Sequence, residues 1–278
     1  MMKREADMKG GNPLQDQAQR KQAGACVVVT GAAGGIGAAV AHRLHDDGWH
    51  VVATDLCAAA LSEVLQASPR MTLATLDVAR PDSVAQLAEH LHSSLPAGVA
   101  GLVNVAGVLQ DVRALLDMDD DAARRIWEVN YFGAERCMKA LAPAMIAGGG
   151  GSVVNITSIN ELQPLPLHAY APSKVALGAL TRLAAGEFGP AGVRVNAVAP
   201  GFTLTPIFRD KLDSGKRDAG MIEQHTAMGR LVETSEIASA VSFLIGDDAS
   251  AITGVSLPVD CGWLASAHWM NFRQLGAA

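Results

Sequence analysis

The sequence predicts a single α/β domain built on a doubly wound parallel sheet, and three observations carry that prediction. Seven short apolar runs alternate with helix-permitting segments along nearly the whole chain. Within the runs the apolar residues are consecutive rather than alternate, as required of strands covered on both faces. The first run ends in a glycine cluster that opens directly into a helical segment. The expected architecture is therefore a seven-stranded parallel sheet with helices on both faces.

Each element has a local reason. Cys26-Val27-Val28-Val29-Thr30 is rich in β-branched residues and forms the first strand, followed by the turn from Gly31 to Gly37. Helix-permitting residues continue to Asp47 and stop at Gly48. His50 to Thr54 is the second strand, with Asp55 at its end, and Met71 to Leu76 is the third, ending at Asp77. Pro81 opens an amphipathic helix, because its missing N–H is one that a first helical turn leaves unpaired anyway. Ala100 to Val103 is the fourth strand and runs into Asn104-Val105-Ala106-Gly107. Asp119 to Ala147 reads as one long helix, ended by the glycines 148–151. Ser152 to Ile156 is the fifth strand, Tyr170 to Phe188 the next helix, and Val193 to Ala199 the sixth strand, stopped by Pro200-Gly201. Thr203 to Gly229 is irregular and more polar, and is expected to be a mobile lid. Thr234 or Ser235 caps a helix to Ile245, and Val255 to Val259 is the last strand. Residues 1–24 are expected to be a flexible extension, 25–265 the domain and 266–278 a tail. Trp127 is expected against the sheet, and Trp263, His268 and Trp269 at a subunit contact.

With 278 residues, 49% of them hydrophobic, the chain has material for one large core. A net charge of -6 argues against a nucleic-acid binder, which would carry a basic stripe. Four scattered cysteines, with no C-x-x-C and no His/Cys ligand spacing, read as reduced cytoplasmic thiols, with neither a disulfide frame nor a metal site. The uncharged stretch Ala25 to Ala41 is broken by four glycines and falls short of the roughly 20 residues needed to cross a membrane.

Two constellations carry chemistry. The turn Gly31-x3-Gly35-x-Gly37, with Gly34 and Ile36 inside it, lets backbone N–H groups and a helix N-terminus approach a pyrophosphate. This is the opening unit of a Rossmann-type domain. Asp55 can accept hydrogen bonds from an adenosine ribose diol and would repel a 2′-phosphate, and neither Leu56 nor Gly34 offers a positive charge in compensation. NAD is therefore expected over NADP. Farther along, Ser158 follows the fifth strand, while Tyr170 and Lys174 stand four apart on one helical face. An ammonium beside the phenol is expected to lower its pKa from about 10 toward working pH, as general acid–base catalysis needs.

In this order the residues resemble the short-chain dehydrogenase/reductase (SDR) family over about Ala25 to Trp263. The matching markers are Thr30-Gly-Ala-Ala-Gly-Gly-Ile-Gly37, Asp77-Val78, Asn104-Val-Ala-Gly107, Asn130, Ser158, Tyr170-Ala-Pro-Ser-Lys174, Asn196-Ala-Val-Ala-Pro-Gly201, Thr205 and Asp260-Cys-Gly262. The resemblance implies that Tyr170 is the acid/base and that Lys174 holds the nicotinamide ribose and tunes Tyr170. It further implies that Ser158 binds the substrate oxygen, and that Asn130 breaks the regularity of its helix and supports a water relay from Lys174 to bulk solvent. Asp77 and Val78 would meet the adenine; Asn104, Ala106 and Gly107 would flank the cofactor; Pro200, Gly201, Thr203 and Thr205 would face the nicotinamide. The implied activity is NAD-dependent interconversion of a secondary alcohol and its ketone by a homotetramer or homodimer. The alternatives are an NADP-dependent carbonyl or 3-oxoacyl reductase, and an idle nucleotide-binding regulator. An enoyl reductase is disfavoured, because such relatives separate the tyrosine and lysine by six residues and here three intervene.

The chain departs from the family pattern in four places. Val105 replaces a second asparagine that would brace the sheet, and Ser158 lies twelve residues before Tyr170, one fewer than is usual, with Thr157 at the usual distance. Glu161 stands where a small residue is common, and Cys261 replaces a glycine. Asn160, Glu161 and Gln163 are candidates for a polar pocket, and His168 for a substrate contact or a solvated loop position.

Overall fold

The computed structural model describes residues 24–268. Seven parallel strands form one sheet in the order β3-β2-β1-β4-β5-β6-β7. They are β1 Cys26–Thr30, β2 His50–Asp55, β3 Met71–Thr75, β4 Val99–Asn104, β5 Gly151–Ile156, β6 Val193–Pro200 and β7 Ser256–Val259. The helices are α1 Gly35–Asp46, α2 Ala58–Val64, α3 Pro81–Ser94, α4 Asp120–Trp127, α5 Ala134–Ala147, α6 Ile159–Leu162, α7 Tyr170–Phe188, α8 Pro206–Asp213, α9 Ala219–Glu223, α10 Thr234–Ile245 and α11 Trp263–Ser266. The chain winds outward from β1 in one direction and from β4 in the other. A crevice therefore opens at the carboxyl ends of these two strands, where ligands bind in open α/β sheets.

Two apolar layers sandwich the sheet. On one side Val27, Val29, Val51 and Val154 pack against Val40 and Leu44 of α1 and Ile237, Val241 and Leu244 of α10. On the other, Val28, Leu102, Val153 and Val195 meet Leu87 and Leu91 of α3, Leu141 and Met145 of α5, and Ala184 of α7. Side chains alternate across the sheet, so consecutive apolar residues in a strand feed both layers.

Several elements differ from expectation. The long helix over 119–147 is interrupted by a π-helical segment, Glu128–Gly133, between α4 and α5. Asn130 within it bonds the backbone of Val108, and a Cβ at Gly133 would come within 2.8 Å of the Val78 side chain. The segment over 203–229 is irregular only in part. Thr205 and Asp218 each accept a hydrogen bond from a first-turn N–H and so start the short helices α8 and α9. For α10 the cap is Glu233, in a reciprocal capping box with Glu236, one residue before the expected position.

Trp127 is half-buried and meets Tyr131 edge-on at 5.9 Å instead of packing on the sheet. Trp263 is a buried residue of the fold, edge-on to Phe202 at 5.8 Å, and not a surface contact. Trp269, residues 1–23 of the extension expected over 1–24 and the end of the expected tail lie outside the described residues.

Candidate active site

The glycine turn needs its glycines for space. Gly31 has φ +66°, and a Cβ there would lie 2.7 Å from the Ala106 Cα. A Cβ at Gly37 would lie 2.1 Å from the Gly31 carbonyl oxygen. β1 and β4 can therefore converge, and Thr30 Oγ1 accepts from the N–H groups of both Val105 and Ala106 at 3.1 Å. Helix α1 begins at Gly35 with no side-chain cap and no acidic residue in its first turn. Its N-terminal N–H groups are thereby left to an anionic group, and the helix dipole favours one.

Asp55 faces this turn. Its Oδ2 accepts from Ala33 N at 2.9 Å and its Oδ1 from Leu56 N at 2.7 Å, so backbone donors fix the carboxylate beside the glycines. Leu56 is exposed. Asp77 accepts from Ala79 N at 3.0 Å, while the Val78 side chain is buried and leaves only its backbone for a ligand. The uncapped helix start, the glycine cradle and the fixed carboxylate together fit a dinucleotide. On the far wall, Thr203 donates to the Gly201 carbonyl at 3.0 Å, and Gly201 packs so tightly on Asp260 that a Cβ would come within 2.7 Å. Thr205 and Pro206 lie against Gly35, bringing the start of the 203–229 segment over the glycine turn.

Ser158, Tyr170 and Lys174 meet at the ends of β5 and α7. Ser158 stands beside the Tyr170 phenol and accepts from both N and Nδ2 of Asn160, at 3.2 and 3.1 Å. Thr157 instead donates to the Val198 carbonyl at 3.1 Å, so the hydroxyl beside the phenol belongs to Ser158. Lys174 Nζ donates to the Ile156 carbonyl at 2.7 Å and lies 5.7 Å from the Tyr170 ring centroid. Asn130 Oδ1 accepts from Val108 N at 2.7 Å, and its Nδ2 donates to Val108 O and Ser173 Oγ. Gly107 lies close to both Asn130 and Lys174.

The electrostatics correct one expectation. Burial holds the Tyr170 phenol above its ordinary pKa, and the neighbouring Ser158 hydroxyl pulls it down in part. Burial also lowers the Lys174 ammonium to about 8, against an upward pull from Glu161. Desolvation thus sets the direction at both groups, a balance that residue spacing does not reveal.

Several supporting residues escaped the sequence. Gln110 Oε1 accepts from Ala169 N at 2.8 Å and Tyr170 N at 3.0 Å, satisfying the start of α7. Asn155 takes over the bracing expected of a second asparagine at 105: it accepts from Asn104 at 2.8 Å and donates to Thr181 at 2.9 Å. Asn160 turns inward to Ser158 and the Leu165 N–H rather than lining an open pocket. Glu161 is buried, and Gln163 and His168 stay at the surface of their loop. Among the described residues no cluster of metal-ligating side chains occurs, and Cys57, Cys137 and Cys261 form no disulfide.

A doubly wound sheet with a glycine cradle at its topological switch defines a dinucleotide-binding α/β protein. The family model described as enoyl-(acyl carrier protein) reductase matches residues 31–264. An uncharacterized short-chain type dehydrogenase/reductase of Sinorhizobium fredii is 36% identical over 92% of the chain; the chain spans about half (47%) of that relative. Cis-4-hydroxycyclohexanecarboxylate dehydrogenase of Sinomonas cyclohexanicum is 36% identical, over 86% of this chain and 96% of its own. A structure of ElxO with NADP bound superposes with a TM-score of 0.81 at 28% identity, covering 87% of this chain and 99% of its own. The chain belongs to the short-chain dehydrogenase/reductase family, whose members bind a nicotinamide dinucleotide, and it is an oxidoreductase.

Proposed function

We propose that the protein interconverts a secondary alcohol and its ketone with NAD(H). The observation that carries this reading is the placement of Ser158, Tyr170 and Lys174 together at the carboxyl end of the sheet, beside the glycine cradle. When bound, a nicotinamide dinucleotide supplies the hydride donor or acceptor and, when oxidised, a positive charge. The pyrophosphate would rest on Gly31, Gly34, Gly35, Ile36 and Gly37, the ribose diol on Asp55, and the adenine on Asp77 and the Val78 backbone. Asn104, Ala106, Gly107 and Lys174 would flank the nicotinamide ribose, and Pro200, Gly201, Thr203 and Thr205 the nicotinamide.

Around that site the chain's own groups handle the proton. Ser158 donates to the substrate oxygen and fixes its position relative to the phenol. At neutral pH the buried phenol keeps its proton, while Lys174, with its midpoint near 8, is cationic. The resting pair is thus set to protonate an alkoxide at the Tyr170 oxygen, the direction of ketone reduction. In alcohol oxidation the phenol first releases its own proton toward solvent, after which the phenolate oxygen accepts the hydroxyl proton, and the Lys174 ammonium stabilises that phenolate. Asn130 holds the backbone around Lys174 through Val108, which supports its place in a relay toward bulk solvent.

NAD over NADP is supported by Asp55, whose carboxylate is fixed by two backbone donors, with no cation placed to receive a 2′-phosphate at Leu56 or Gly34. A cyclic secondary alcohol in the name of a full-length relative supports the substrate class. The spacing of Tyr170 and Lys174 favours this reaction over enoyl reduction, and the intact set of four residues favours an enzyme over an idle regulator. The segment over 203–229 acts as a lid, supported by Lys211 of α8 reaching Asp111 in the loop after β4 at 3.5 Å. Exposed Leu183 and Val175 on α7 support a dimer or tetramer through that helix, and the free thiols of Cys57, Cys137 and Cys261 support a cytoplasmic setting. No described helix is long and apolar enough to cross a membrane.

Tyr170→Phe tests the reading against a panel of secondary alcohols and ketones. Turnover should fall by about three orders of magnitude or more, with NADH binding, followed by fluorescence, unchanged within a few-fold. Retained turnover would refute the acid/base assignment.

A further inference from the structure

The helix that carries Tyr170 and Lys174 also places Gly178 and Arg182 on the same stripe, each four residues beyond the last. Glycine is disfavoured in the interior of a 19-residue helix, so Gly178 requires a reason. A Cβ at that position would lie 2.0 Å from Glu161 Oε1 and 2.2 Å from Glu161 Cδ. The missing side chain is therefore the seat of a carboxylate, held against the helix backbone about 6 Å, one turn, beyond Lys174.

The Glu161 side chain is only 2% exposed. Its Oε1 takes a hydrogen bond from Arg182 at 3.3 Å and its Oε2 one from Ser256 at 2.7 Å. Arg182 is 56% exposed and shares its charge with solvent, whereas Lys174 is buried within the fold. A carboxylate withdrawn from water needs a cation, and a buried ammonium needs an anion. Gly178, where Glu161 is seated, lies one turn from Lys174 on the same stripe.

We propose that Glu161 is the counter-charge of Lys174: a positioning residue, seated in the notch left by Gly178, that keeps the ammonium charged at working pH. This rests on the roles of Tyr170 and Lys174 argued above. The electrostatic balance agrees in direction, since burial pulls Lys174 down to about 8 while Glu161 pulls it up.

Few other groups compete. On α7 itself Tyr170, Arg182 and the exposed Glu187 are titratable or charged. From α6 comes Glu161, from β5 the Ile156 carbonyl, from the π segment the neutral Asn130, and from β7 the Ser256 hydroxyl. On β6, Arg194 is engaged by the carbonyls of Leu244, Ile245 and Gly246. On α4, Arg124 pairs with Asp121, while Asp120 and Arg125 are exposed. On the π segment and α5, Arg136 pairs with Glu128 and Lys139 with Glu135.

The test follows Lys174 itself, by NMR titration of the full chain labelled with 13C-lysine, with the signal assigned through Lys174→Arg. Glu161→Gln keeps the shape and removes the charge; it should lower the Lys174 midpoint by about one pH unit or more. Arg182→Gln removes the competing cation and should raise the midpoint. Gly178→Ala evicts a still-charged carboxylate and should lower it, giving a second reading should Glu161→Gln fold poorly. A midpoint unmoved by Glu161→Gln and Gly178→Ala overturns the proposal. So does a shift of the same sign in Glu161→Gln and Arg182→Gln, which would mark simple loosening. The alkaline limb of kcat/KM should track each midpoint. If the midpoints move as expected and the limb does not, Glu161 keeps its role and the Tyr170–Lys174 proton-transfer reading fails instead.

Discussion

Gln110→Met isolates what the loop after β4 does for the reacting tyrosine. Methionine matches the length of glutamine and removes its oxygen. In the structure that oxygen is the acceptor for two backbone N–H groups, Ala169 at 2.8 Å and Tyr170 at 3.0 Å, and α7 has no cap from its own N-cap residue. Ala169 and Tyr170 are both buried, so water does not freely replace the lost partner. Each orphaned buried donor costs about 1–3 kcal/mol, and partial rescue by neighbours puts the pair at about 2–3 kcal/mol. For a domain of this size each kcal/mol moves Tm by roughly 2–4 °C, so thermal unfolding should shift down by roughly 5–10 °C. Tyr170 is the first residue of that helix, so the phenol loses part of its fixed position. kcat should fall by about tenfold or more, with dinucleotide binding unchanged. Gln110→Glu restores the acceptor and should recover most of the lost Tm. A Gln110→Met protein with the parent's Tm and kcat would refute the argument, because it would show that the two hydrogen bonds do not hold the helix start.

Three further outcomes are expected. Asp55→Asn drops the charge and keeps one of its two backbone contacts, since only its amide oxygen accepts; the preference for NAD over NADP should shrink by about tenfold to a hundredfold, read as the ratio of kcat/KM values. The Lys174 midpoint, lowered to about 8, sets a pH limit: the ammonium is present below that value and lost above it, so kcat/KM for alcohol oxidation should decline as pH rises through 8. An alkaline limb near 10 instead would mean that burial does not control this lysine. Among the cysteines, exposed Cys57 should react with a thiol reagent in the native protein, whereas Cys137, buried and pushed up to about 12, should react only on unfolding. Rapid native labelling of Cys137 would contradict the packing under α5.

The strands and the reacting residues were legible because both are written locally. β1, with its five consecutive apolar or β-branched residues, declares burial on both faces, and the step of four from Tyr170 to Lys174 declares one helical face. The lid helices α8 and α9 were less legible because each is eight residues or fewer, too short for periodicity to show, although Thr205-Pro206 is a readable helix start. The π segment was half legible: Asn130 marked an irregularity, but its cause is a bond to Val108, 22 residues away.

The residues that hold the site in place share that property, and this explains why a sequence yields the reagents before their supports. Gln110 reaches Tyr170 across 60 residues, Asn155 reaches Asn104 across 51, and Glu161 reaches Ser256 across 95. None of these pairs has a period to betray it, and each is made adjacent only by the winding of the sheet. The same reasoning accounts for the phenol. Spacing places a cation beside Tyr170, but depth of burial depends on the whole fold, and burial sets the sign of the pKa change. Helix α7 therefore functions as a held element: Gln110 satisfies its first N–H groups, Asn155 is bonded to it at Thr181, and Glu161 sits in its glycine notch. Three contacts from three separate elements fix one rigid face, and a proton can then pass between atoms whose positions the substrate does not have to set.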